Sequence, residues 1–420
     1  MPEPNRIVID RVDWKSVLPV LRLASAFKHA LQPGKLFIAL LAVVIIHLSG
    51  IGLGALFEAA SSAGDDGHSD ERSVMRAVGH EGENPYDQFL SQQVRAFQKL
   101  SYAALSLDHG FDSDSGVSDQ LANLVVLHPM MLFERDPFFA LVFSGMVLLV
   151  LSVSTGILCR MGASQVCANR VTPMAQAVCH VRRRWLWYVL TPLMPLLLIG
   201  VLALLLYLSG LVFFNVPWLD AVGSLGFGVM LLMGVLIAGV LLLLALAFVL
   251  MPPALSVEGS EGFDAVSRSF NYILFRPWQF AAYLFSAALY LGVVYVLLTV
   301  VAGLGLGATH YFVNAGAIGE SSFQQIINAS YDMGEASSDA NIQVSGWIIG
   351  RWIDLMYLIV VAVLFSTICC LQTQIYVLMR RSADGTPMDQ CDGGEEPDLW
   401  AEAPASEQAG STDDTAGAEG

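Results

Sequence analysis

The sequence predicts an all-α polytopic membrane helix bundle of about six transmembrane helices, and three observations carry that expectation. Hydrophobic residues are 55% of the 420 and charged residues only 14%, where soluble domains carry about 25% charged residues. Mean hydropathy is +0.60. Six apolar runs each reach the roughly 20 residues that a helix needs to cross hydrocarbon: Leu36 to Phe57, Phe138 to Leu158, Trp185 to Phe214, Val222 to Met251, Trp278 to Thr309 and Trp347 to Met379. The longer runs must tilt, kink or protrude, and Pro192 with Pro195 marks the expected kink in the third. The net charge of -16 describes no uniform surface, because eleven of the 37 acids follow Leu378 and fourteen lie between Glu58 and Asp136. No basic face for nucleic acid is implied, and the bilayer itself is the first expected partner.

Residues 1–35 carry six Lys or Arg against three acids. Val17, Leu21, Ala24, Phe27 and Leu31 fall on one helical face, with Lys15, Arg22, Lys28 and His29 on the other. That pattern fits a basic amphipathic helix on an anionic cytoplasmic leaflet, and equally a helix packed on the protein's own loops. The first span, 36–57, follows too long a polar leader to be a cleaved signal, so an uncleaved anchor is expected. In the segment 58–137, Asn84 and Pro85 read as an N-cap and first helical residue. Leu90, Val94, Phe97, Ser101 and Leu105 continue a stripe to about Leu107, and a second short helix is expected from Ser118. Together these predict a small helical cap, with an acid-rich tip from Ala63 to Glu83. Residues 138–381 hold the remaining five spans and their connecting surface helices. The tail, 382–420, is rich in Gly, Ala, Ser, Pro and acids and is expected to be disordered.

Orientation follows from bases near the span ends. Arg160, Arg170, Arg182, Arg183 and Arg184 follow span two with no acid among them, and Arg380 with Arg381 follows span six. The segment 310–346 has four acids and no base, and 58–137 has fourteen acids against five bases. Both termini are therefore expected in the cytoplasm. The six cysteines match neither a zinc nor a CxxC spacing and are expected as reduced thiols.

Two stretches read as elbows that return the chain to the membrane. In the first, Thr172-Pro173 starts a helix whose stripe is Met174, Ala177, Val178 and Val181, and Trp185 then enters the bilayer. In the second, Phe263, Val266, Phe270 and Ile273 or Leu274 recur at helical steps, while Asp264, Arg268 and Asn271 lie off the stripe. Arg276-Pro277-Trp278 turns the chain into span five, with Trp278 at the interface. A helix lying flat on the membrane surface fits this pattern, and a solvated linker is the alternative.

The second elbow, EGFDAVSRSFNYILFRPW from Glu261 to Trp278, resembles the surface-helix motif of an uncharacterised family of six-span bacterial integral membrane proteins. It is similar also to the membrane domain fused to some glycerophosphodiester phosphodiesterases, where an Ala-x-x-x-Ser helix precedes an aromatic residue at the membrane. The resemblance implies a helical membrane domain of unknown biochemical role, and the bacterial inner (cytoplasmic) membrane is the expected location. It carries over no catalytic residue, since no phosphodiesterase domain accompanies it.

No Walker A or HExxH motif occurs, and Gly162-Ala163-Ser164 has no placed histidine base. No catalytic, metal or cofactor site is expected. The glycines Gly50, Gly52, Gly54, Gly303, Gly305 and Gly307 read as close-packing positions of spans one and five. Polar candidates within spans are His47, expected to face the bundle as a neutral hydrogen-bonding group, and Arg351 with Asp354, three apart on one face of span six. The functional expectation is a non-enzymatic membrane-organising or partner-binding protein. The alternative is a transporter or permease subunit working with a separate ATPase.

Overall fold

The computed structural model describes residues 19–63, 85–106, 120, 123–215, 219–316, 322–331 and 340–387. The acid-rich tip, most of the N-terminal basic stretch, the start of the second cap helix and nearly all of the tail lie outside these residues. Every regular element among them is helical. After a 3-10 turn, Pro19–Ser25, come α1 (Ala26–Ala30), α2 (Pro33–Ala63) and α3 (Pro85–Ser106). A π turn, Asn123–Leu127, leads into α4 (His128–Arg135), α5 (Pro137–Ala168), α6 (Met174–Asn215) and α7 (Asp220–Ala247). The chain ends with α8 (Met251–Glu258), α9 (Gly262–Phe275), α10 (Pro277–Gly316), α11 (Ser322–Tyr331) and α12 (Ala340–Asp384).

Six of these, α2, α5, α6, α7, α10 and α12, are long and apolar enough to cross a membrane. Proline opens α2, α5 and α10, where the first helical N–H has no partner to lose. Asn169 in the left-handed region closes α5, and Gly259 at φ 64 closes α8. Within α6 the one non-helical residue is Arg184, at φ -127 and ψ 19, so the first elbow turns there. The helix runs through Pro192 and Pro195, the expected kink positions. Arg276, at φ -139 and ψ 62, makes the corresponding turn between α9 and α10.

The six long helices form two groups. In the central apolar stretches of α5 and α12, 33% of residues are buried, against 0% in α6, so α2, α5 and α12 form the inner trio and pack on one another. The pair α6 and α7 attaches through α5, and α10 attaches through α12. Most of the core lies at the end holding α1, α8, α9 and the last turns of α12, here called the elbow end. A smaller cluster of Tyr86, Leu132, Phe139, Ala140 and Phe143 ties α3 and α4 to α5 at the other, the cap end.

The surface helices dock through only part of their apolar stripes, together with small residues beside them. In α9 the buried positions are Gly262, Ala265, Ser269, Tyr272 and Ile273. Val266 and Phe270 pack partly against this core, while Phe263 is 72% and Trp278 86% exposed. Before α2 the chain buries Leu23, Ala26 and Ala30 and exposes Ala24 and Leu31. In the first elbow Ala177 and Val181 are buried, and Met174 and Val178 are exposed. Small residues let the backbones approach beside the buried Leu23, Val181, Tyr272 and Ile273, while Phe263, Met174 and Val178 stay exposed. The glycine expectation divides in the same way. A Cβ at Gly50 would overlap the Tyr86 ring, whereas Gly52, Gly303 and Gly307 have open space beside them.

Candidate functional site

Between the inner trio and α6 lies an apolar cavity of about 620 Å³, within the roughly 300–1,000 Å³ of small-molecule sites. Its roof comes from the cap: Tyr86, Phe89 and Leu90 of α3 and Pro129 and Leu132 of α4. The walls are Val147, Leu148 and Leu151 of α5 and Phe365 and Ile368 of α12. Toward the elbow end the lining includes polar groups, Ser152 and Thr155 of α5, Tyr188 and Thr191 of α6, and Gln372 of α12, beside the apolar Met251, Pro252 and Leu255 of α8. These arrive together because Gly156 lets the Tyr188 ring lie against the α5 backbone, where any Cβ would clash. The Tyr188 hydroxyl pairs with Ser256 Oγ at 3.0 Å, and Ser256 Oγ also donates to the Gly156 carbonyl at 3.1 Å. Among the described residues, the lining holds no charged side chain and no histidine.

Lys35, Glu258 and Arg380 carry charge into the buried elbow end. Lys35 is fully buried, its Nζ donating to Gln165 Oε1 at 2.8 Å and to Cys370 Sγ at 3.4 Å. Gln165 in turn donates to Gln32 Oε1. Glu258, with its side chain 5% exposed, receives Arg268 Nη1 at 2.5 Å and Arg380 Nε at 3.4 Å. The Tyr376 hydroxyl donates to the same carboxylate. Next to it the Tyr272 hydroxyl donates to Asp384. Burial pushes the Tyr272 phenol above its ordinary range, and its bond to Asp384 and the Glu258 charge push it the same way, so it stays a neutral donor. The cluster clamps α9 and α8 onto the last turns of α12. That helix continues to Asp384, past Arg381.

The predicted positions are scattered. His47 Nδ1 lies 3.0 Å from the Tyr86 hydroxyl, so it faces the cap helix α3 at the edge of the cavity roof. Arg351 and Asp354 pair at 3.0 Å, but both side chains are over 40% exposed, where such a pair is worth little. Phe263, Val266, Phe270 and Trp278 sit on the elbow, away from the cavity lining. Four cysteines, Cys159, Cys179, Cys369 and Cys370, are free thiols. Cys167 is disulfide-bonded, so the expectation of six reduced thiols fails there. The cavity residues were missed by sequence reasoning. The one signal available was the Ser152 and Thr155 pair, three apart on one face of an otherwise apolar span.

Comparison of the chain with protein-family models, curated proteins and solved structures gave no match.

Proposed function

We propose that this chain is a non-enzymatic, multi-pass protein of a bacterial inner membrane that holds one apolar chain of a membrane molecule in the cavity beneath its cap. The observation that carries this reading is the cavity itself, about 620 Å³ and walled by aliphatic and aromatic side chains of α2, α3, α4, α5, α6, α8 and α12. Each methylene moved from water into such a site is worth about 0.8 kcal/mol, but a lipid already in hydrocarbon gains only the better packing. Shape therefore selects the occupant. In this reading the elbow end faces the cytoplasm, as the arginines after α5 and at the end of α12 favour.

Full-length protein purified in mild detergent should retain about one lipid-chain molecule per protein, measured by mass spectrometry of the extracted material. Leu148→Trp, which thrusts an indole into the cavity, should retain clearly less of that molecule while eluting as the wild type does. Equal retention by the variant, or none by the wild type, would remove the basis of the reading.

The orientation has its own test. Single cysteines introduced at Ser69 and Ser337 should react with an impermeant reagent in intact cells. Protection of both would place the cap and the α11 segment in the cytoplasm.

A further inference from the structure

We infer that the occupant of the cavity is an uncharged single-chain lipid bearing a hydroxyl, and that Gln372 of α12 reads this group at the elbow end. The inference rests on the cavity reading above and specifies the ligand's head. Gln372 lines the cavity, and its carboxamide oxygen is buried with no hydrogen-bond partner among the described residues. Its polar neighbours are already engaged: the Tyr188 hydroxyl with Ser256, and the Thr191 hydroxyl with the Trp187 carbonyl at 2.5 Å. A buried amide left incompletely bonded is costly, and a ligand that completes its bonding binds more tightly for it.

The position narrows the chemistry. Gln372 precedes Arg380 by eight residues, about 12 Å along a helix, so it meets the ligand inside the apolar layer rather than at the charged rim. The lining offers no cation for a phosphate or carboxylate and no anion for an amine, and an unpaired charge at that depth is strongly disfavoured. A hydroxyl both donates and accepts, as a carboxamide does, so the two match whichever way the amide is turned. Ser152 and Thr155 place two more hydroxyl-bearing side chains in the same lining.

The test compares hexadecanol with hexadecyl methyl ether, which has the same chain but no O–H donor, by ligand-dependent thermal shift of the full-length protein in detergent. The wild type should bind the alcohol about tenfold more tightly than the ether. In Gln372→Leu the two should bind alike; if that variant does not fold, Gln372→Met, of similar length, takes its place. Equal affinity for alcohol and ether in the wild type, or a preference that survives in the variant, overturns the role of Gln372. It leaves the cavity reading standing, because both ligands still bind. Binding of neither ligand overturns both.

Discussion

Glu258→Ala is expected to lower the thermal midpoint of the purified protein by far more than Arg268→Ala does, although the two residues form the shortest ion pair of the elbow cluster. The reason is the difference in exposure. Glu258 is 5% exposed and receives Arg380, which is 8% exposed, together with the Tyr376 hydroxyl. Removing the carboxylate takes away an acceptor that a buried guanidinium and a phenol share. Breaking a buried pair from one side costs about 3–5 kcal/mol. The Arg268 side chain is 43% exposed and keeps water around it, so its loss is screened to about 1 kcal/mol or less. Thermal unfolding of both variants in one detergent decides the matter. Similar midpoints for the two would mean that Glu258 is hydrated and that the cluster is no clamp.

Phe270→Asp should lower stability or membrane yield clearly, while Asn271→Asp, one residue on, leaves both nearly unchanged. Phe270 packs partly against the core on the docked side of α9, and Asn271 is exposed. Losing the aromatic's burial costs on the order of 1.5–3 kcal/mol, scaled down because the ring is only partly covered. The new carboxylate adds a desolvation cost, and it arrives on the helix that already carries Asp264. Equal tolerance of the two substitutions, read by yield and thermal midpoint, would show that α9 is a solvated linker. Phe263, exposed in the protein, sits on the opposite footing: its substitution leaves the docked face of α9 untouched.

Much of the fold was legible in the chain. The apolar runs marked all six long helices, and Pro85 and Pro277 marked the first residues of α3 and α10. The turn at Arg276 was legible from the proline that follows it, since the residue before a proline avoids helical backbone. The Arg351–Asp354 pair followed from a three-residue spacing alone. The site was much less legible. Lys35 looked like one more base in a basic leader, yet it is fully buried among Gln165, Cys370 and the start of α2. Glu258 lay just beyond an apolar run and carried no local sign that Arg380, more than a hundred residues later, would reach it.

The sequence by itself determined that this is a six-helix, membrane-type bundle, because hydropathy and length are sums over contiguous residues and need no partner to evaluate. Only the tertiary structure decided which face of each helix meets protein. Lipid tails are as apolar as leucine side chains, so a stripe such as Phe263, Val266 and Phe270 does not distinguish lipid from neighbouring helix. Small residues settle that choice, Ala26 and Ala30, Ala177, Gly262 and Ala265, and their effect depends on the shape they meet. The cavity has the same origin. It is the space left where the cap, the inner trio and α6 fail to close on one another, a property of their arrangement and of no single stretch of chain.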